Sequence, residues 1–156
     1  MRQLWLSALV LLAACMTPPV RPAGTIVSPA DSFQGEWTEQ EMASNTVMRN
    51  LRTSKEVSYH VLRVRTELGL RKHAKSDLVL VVVAGQVELR LGDRTLPSAP
   101  GDVVEVPRET PYAVLNKGQQ AAVLYAVFAP GFDPEDVKTV SEPSGVGAWQ
   151  YNLWNQ

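Results

Sequence analysis

From Asn45 onward the chain alternates apolar and polar positions in short runs punctuated by glycine and proline. That pattern predicts β-strands and turns rather than helices. In "EVSYHVLRVRTEL", residues 56–68, Ser58, His60, Leu62 and Val64 share one face. Tyr59, Val61, Arg63 and Arg65 share the other, because successive strand side chains point to opposite sides of a sheet. "DLVLVVVAG", 77–85, is apolar without a break, as expected of a strand covered on both faces. "GQVELRLGD", 85–93, alternates with Val87, Leu89 and Leu91 inward and Gln86, Glu88 and Arg90 outward, and Gly92-Asp93 marks a turn. "PGDVVEVP" predicts a short strand with Glu105 outward, ended by Pro107. "YAVLNKG" and "AAVLYAVFAP" predict two more strands, with "NKGQQ" as the turn between them. A short helix with weak amphipathicity is expected from about Glu36 to Ser44. The tail after Pro130 reads as irregular, with Trp149 and Trp154 as rings that would pack back on the domain. Strands at this spacing indicate an all-β sandwich or barrel, not an α/β fold.

The 156 residues suffice for one domain, and 45% apolar with 20% charged residues supports an ordinary core. A net charge of -1 and a pI near 6.1 offer no basic face for nucleic acid. The first residues, "MRQLWLSALVLLAAC", place Arg2 before an apolar run from Leu4 to Ala14 that is too short for a stable membrane span and has the form of a signal-peptide core. The run ends in "LAAC", Leu12 to Cys15, which resembles the lipobox of bacterial lipoproteins. The resemblance implies residues 1–14 as a signal peptide, cleavage before Cys15 and a diacylglycerol with an added acyl chain on Cys15, a firm anchor where one chain is marginal. Cys15 is the sole cysteine, so no disulfide is expected. The chain from Cys15 carries 14 basic and 16 acidic residues, a formal charge of -2. Met16 follows the cysteine; by resemblance to Gram-negative sorting this implies an outer-membrane lipoprotein facing the periplasm. Residues 15–35, rich in proline and small side chains, read as a tether. The domain is expected over 36–156, with its core at about 55–130.

Within that core, "GDVVEVPRETPYAVLN" has the spacing G, five residues, P-x-G, two residues, H, three residues, N at Gly101, Pro107 and Asn116, with Glu109 at the second glycine and Tyr112 at the histidine. "GLRKHAKSDLVLVVVAG", 69–85, carries the other half of the same signature. Counted back from Gly85, its two histidine positions fall on Arg71 and His73, and its acid on Leu78, or on Asp77 if one extra residue is allowed. These motifs resemble the cupin family and imply a single small jelly-roll barrel with a short N-terminal helix or loop. They also imply four metal-ligand positions, of which His73 alone is clearly kept. Arg71 has no lone pair to donate and a tyrosine replaces imidazole poorly at zinc or manganese, so no metal cofactor is expected.

The candidate site comprises Arg71, His73, Asp77, Tyr112 and His60 at the barrel mouth. A cation in place of a metal can hold a carboxylate or phosphate; alternatively Arg71 pairs with Asp77 or Glu109 inside the protein. The leading function is non-catalytic binding of a small molecule, an anion among the candidates, or a sensory or structural role at the envelope. One alternative is an enzyme. It is either metal-free, with His73 as base oriented by Asp77 and Tyr112 as acid, similar in roles to the sugar-nucleotide epimerases of the superfamily, or a weak-metal dioxygenase-like cupin. Another is an interaction module whose barrel is filled by its own side chains. His60 reads as a core or rim histidine, Glu88 and Arg90 as a solvated surface, and Asn116 as a turn residue. By family resemblance a homodimer is plausible.

Overall fold

A computed structural model describes residues 36–141. The leader, Cys15, the tether, Trp149 and Trp154 lie outside these residues. A helix α1 (Glu39–Ala43) precedes strands β1 (Thr46–Thr53), β2 (Ser58–Val64), β3 (Glu67–His73), β4 (Asp77–Ala84) and β5 (Val87–Leu91). Then come β6 (Arg94–Ser98), β7 (Val103–Val106), β8 (Tyr112–Asn116), β9 (Ala122–Ala129), a 3-10 turn (Pro134–Asp136) and β10 (Val137–Thr139). Two antiparallel five-stranded sheets result, in the orders β1-β2-β9-β4-β7 and β10-β3-β8-β5-β6. This is the all-β architecture the strand pattern implied, in the jelly-roll form that the family resemblance implied.

The inward faces meet in one core. Leu62, Leu80 and Leu124 of the first sheet pack with Leu68, Leu89 and Val114 of the second. Each such side chain contributes roughly 1.5–3 kcal/mol on burial. The alternating segment 56–68 divides at Arg65 and Thr66 into β2 and β3. Its inner set, Ser58, His60, Leu62 and Val64, is buried as the alternation required. The apolar run of β4 departs from expectation. Leu78, Leu80 and Val82 are fully buried, but Val79 and Val81 on the outer face are only half-buried. The run is therefore covered completely on one side alone. Pro97 sits in β6, the edge strand of the second sheet, where its missing donor costs no ladder hydrogen bond.

The helix is shorter than the expected span. Thr38 caps it and Glu41 closes the capping box. Five residues cannot hold a helix alone, and side chains of the first sheet fix it. Arg49 Nε donates to Glu41 Oε1 at 2.8 Å, and its guanidinium lies 4.0 Å from the Trp37 ring centroid. Arg63 Nη1 donates to the Glu41 carbonyl at 3.1 Å. That contact explains why Arg63, on the outer face of β2, is 9% exposed.

The tail after Pro130 is not wholly irregular. Residues 130–139 form a strap that crosses back to β3. Gly131 N–H donates to the Lys55 carbonyl and Phe132 N–H to Ser58 Oγ. The strap then makes the 3-10 turn, with Asp133 as N-cap and Pro134 inside it, and ends as β10 with Val137 opposite His73 and Thr139 opposite Arg71. The strap supplies the second sheet with an edge strand beyond β3.

Candidate functional site

Strands β3 and β8 set the site. Arg71 pairs directly with Tyr112 across the antiparallel ladder, so both point to the same, inner face. His73 lies two residues further along β3, again on that face. The three converge on a cavity of about 110 Å³. Its remaining lining is chiefly apolar, including Met48, Leu62, Leu80, Phe128 and Phe132. His73 Nε2 is 3.0 Å from Tyr112 Oη, and the two rings stack with centroids 5.8 Å apart.

Behind His73 stands a carboxylate with no signature in the motifs. Asp136, 1% exposed, lies with Oδ2 3.7 Å from His73 Nδ1. It accepts from the backbone N–H of Lys75 at 2.7 Å and of Ser76 at 3.1 Å. At 3.7 Å the imidazole contact is electrostatic rather than a hydrogen bond. His73 Nδ1 is buried without a hydrogen-bond partner. The Nδ1–H tautomer, with Tyr112 donating to Nε2, therefore places a positive edge toward the carboxylate. The linear chain carries a cue to this turn, Asp133-Pro134 as cap and first residue, but none to its distant partner.

Two expected site residues go elsewhere. Asp77 sits on the rim, its carboxylate clasped by Arg108 through Nε at 3.1 Å, Nη2 at 2.7 Å and the backbone N–H at 2.9 Å. Strand alternation sends Leu78, not Asp77, into the cavity. His60 does not line the cavity either. Its Nε2 is 2.8 Å from Ser58 Oγ, and its ring meets Phe128 and Phe132 edge-on at 5.4 and 5.5 Å. Those phenylalanines wall it off from His73. The alternative pairing of Arg71 with Asp77 or Glu109 is also overturned. Asp77 goes to Arg108 and Glu109 to Lys72, while Arg71 Nε donates only to the Gly69 carbonyl at 3.0 Å. Among the described residues Arg71 has no carboxylate partner. Asn116 does more than shape a turn: its amide donates to the Arg65 and Gln120 carbonyls, joining two loops.

The backbone keeps the turn expected of the motif where the letters change. Glu109, at the motif's second glycine, has φ 63, a left-handed conformation that glycine adopts freely. Its N–H donates to the His73 carbonyl at 2.6 Å, tying that turn to the site. The donor set is another matter. Arginine, one imidazole already engaged by Tyr112, a phenol and a leucine do not fit a divalent metal. Among the described residues no group of three His, Cys, Asp or Glu is placed to hold one.

Burial dominates the site's protonation. It pushes His73 below the ordinary 6.5; Asp136 pulls upward and Arg71 adds to the lowering. Burial alone lowers His60. Burial raises Tyr112, partly opposed by Arg71, so the phenol stays protonated and acts as a hydrogen-bond donor. For Asp136 burial pushes upward, but the hydrogen bonds from Lys75 and Ser76 and the charge of His73 outweigh it and leave the carboxyl below its usual value.

Both histidines are depressed in the folded state. The unfolded chain therefore binds more protons once the pH falls below about 6.5. Their contribution is complete above 6.5 and is lost as the pH falls toward their folded values. The expected result is a urea midpoint that drops between pH 7.5 and 5, before carboxylates titrate, and a shallower drop in His60→Gln. A midpoint constant over that interval would contradict the assignment.

A family model described as "Cupin domain" matches residues 59–128. No curated protein matches the chain. Among solved structures, an uncharacterised conserved protein with a double-stranded β-helix domain from Klebsiella pneumoniae aligns with TM-score 0.62 at 13% identity, over 76% of this chain and 99% of that one. The cupin domain of Schizosaccharomyces pombe Cnp3 aligns with TM-score 0.53 at 19% identity, over 56% of this chain and 66% of that one. A His-to-Gln variant of Streptomyces PAC13, solved with uridine, aligns with TM-score 0.56 at 17% identity, over 62% and 79% respectively. At such identities the likeness is one of fold.

Proposed function

We propose that the described residues form a cupin-type domain, as the family model matching residues 59–128 supports, and that its barrel is a metal-free binding module for a small anionic molecule. The observation that carries this reading is the convergence of Arg71, His73 and Tyr112 on one cavity while Arg71 lacks a carboxylate partner among the described residues. A partly buried guanidinium without a counter-ion favours an anion, and its planar fork matches a carboxylate or phosphate in two hydrogen bonds. At least one class among small carboxylates and sugar phosphates is expected to raise the unfolding midpoint of the protein, and Arg71→Gln to abolish the rise. No shift with any of them, or an equal shift in the variant, would remove the reading.

A second reading is favoured by the 3.0 Å contact between His73 and Tyr112 with Asp136 behind it. A neutral histidine beside a protonated phenol is the equipment of metal-free acid–base chemistry. The solution of PAC13 variants at a histidine and at a tyrosine, both with uridine, supports looking for turnover at a His/Tyr pair in such a barrel. Tyr112→Phe separates the readings, because it would stop proton transfer through Tyr112 and only weaken ligand binding.

We also propose that the domain is a lipoprotein held at the periplasmic face of the outer membrane through Cys15. The support is the "LAAC" tetrapeptide after an apolar leader, followed by Met16. Labelled palmitate is expected to enter the full chain in a Gram-negative host and to be absent from Cys15→Ser; label retained by the variant would refute the anchor.

A further inference from the structure

We propose that the ligand of this cavity is a monocarboxylate with a compact apolar body, its carboxylate on Arg71 and its hydrocarbon against Leu62, Leu80 and Phe128. This rests on the binding reading above and narrows it to one chemical class.

Charge comes first. Among the described residues Arg71 is the one cationic side chain lining the cavity. The acids around the mouth are occupied: Asp77 by Arg108, Glu109 by Lys72 and Asp133 by Lys75. Asp136 is turned to the backbone of Lys75 and Ser76 and lies behind the His73 ring. One unspent positive charge calls for one negative charge. A second carboxylate would have to sit against leucine and phenylalanine, where a desolvated charge without a partner is strongly disfavoured.

The polar fittings are equally limited. Beyond Arg71, the polar ring atoms near the cavity are those of His73 and Tyr112, and these face one another. The Tyr112 hydroxyl carries one proton. It goes to His73 Nε2 in the tautomer that turns Nδ1–H toward Asp136, so Arg71 is left to hold the ligand's headgroup. That provides for one headgroup; among the described residues the one other polar side chain of the lining is Thr46, whose hydroxyl donates to the Glu67 carbonyl, so the walls offer little to a sugar. Each buried hydroxyl without a partner would cost binding. Sugar phosphates are thereby disfavoured within the anions.

Volume sets the body. An apolar cavity of roughly 150 Å³ accommodates benzene; the one here is about 110 Å³. With the headgroup at the half-exposed Arg71, the enclosed part suits a hydrocarbon of about four to six carbons. A nucleoside, with its two rings, exceeds it.

The test is titration calorimetry on the purified protein with isovalerate, benzoate, their primary amides, acetate, succinate, glucose 6-phosphate and a neutral alcohol. Isovalerate and benzoate are expected to bind at least tenfold more tightly than their amides, acetate or succinate. Arg71→Gln is expected to weaken them ten- to hundredfold, and Arg71→Lys to fall between. The urea midpoint of each variant, measured without ligand, checks that folding is unchanged. Amides binding within twofold of the acids, succinate matching them, or Arg71→Gln leaving them unaffected would overturn the class. If glucose 6-phosphate binds and the acids do not, the class is wrong while the binding reading stands; if the alcohol alone binds, the anion-binding reading falls with the class. If nothing in the panel binds, the binding reading falls and this proposal with it.

Discussion

Asp136→Ala is expected to destabilise the protein by about 3 kcal/mol and to loosen the strap over the cavity. The carboxylate is 1% exposed and accepts two backbone hydrogen bonds, from Lys75 and Ser76. A hydrogen bond to a charged group contributes about 1.5–3 kcal/mol, and a buried N–H stripped of its acceptor bears the desolvation cost besides. Some of this is recovered, because alanine removes a carboxylate whose own burial is unfavourable. What remains is about one strong interaction's worth. The loss should be local first. Hydrogen exchange at the Lys75 and Ser76 amides is expected to speed up more than exchange at β9, and the urea midpoint to fall. A variant within about 0.5 kcal/mol of the parent would mean the strap is held by other contacts.

Gly131→Ala should cost a comparable amount by a different route. A Cβ there would stand 2.1 Å from the Ser54 carbonyl oxygen, far inside contact distance. The obstacle is backbone, so no side-chain rotation relieves it. Nor is the Ser54 turn free to yield, since Ser54 N–H bonds the Val57 carbonyl and Gly131 N–H bonds that of Lys55. Overpacking of this kind costs about 1–3 kcal/mol, and the upper end applies where the neighbour cannot move. Gly69→Ala is the matched control, because nothing lies within 4 Å of its added Cβ. The thermal midpoint of Gly131→Ala is expected to fall by several degrees while that of Gly69→Ala holds. Equal behaviour of the two would show that the turn at Ser54 accommodates the methyl group.

The strands whose two faces differ in polarity could be read from the chain. β2, β5, β7, β8 and β9 lie where alternation or breakers placed them, and Val87, Leu89, Leu62 and Val64 face inward as expected. Four strands lacked that contrast. β1, "TVMRNLRT", is exposed along most of its length, and β3 carries "LRKH" with polar residues on both sides. β6 contains Pro97, and β10 has three residues defined only by pairing with β3. The site was legible to the extent that it lies on one ladder. Arg71, His73 and Tyr112 come together because β3 and β8 are neighbours and the motif spacing fixed their register. The choice between Asp77 and Leu78 was a matter of one residue, and side-chain direction settled it. Asp136 is sixty-three residues from His73, and its place follows from a chain reversal at Gly131 that no local pattern announces.

The strap has a consequence for how the protein is made. Phe132 and Val137, which wall the cavity, follow β9 in the chain, as does the carboxylate set behind His73. Translation releases nine of the ten strands before any of these three residues leaves the ribosome. A nascent polypeptide that has reached Ala129 can close its two sheets around the leucine core, yet its cavity still stands open to water on one side. Enclosure of that cavity therefore comes late, as a short final segment folds over a scaffold that is already in place.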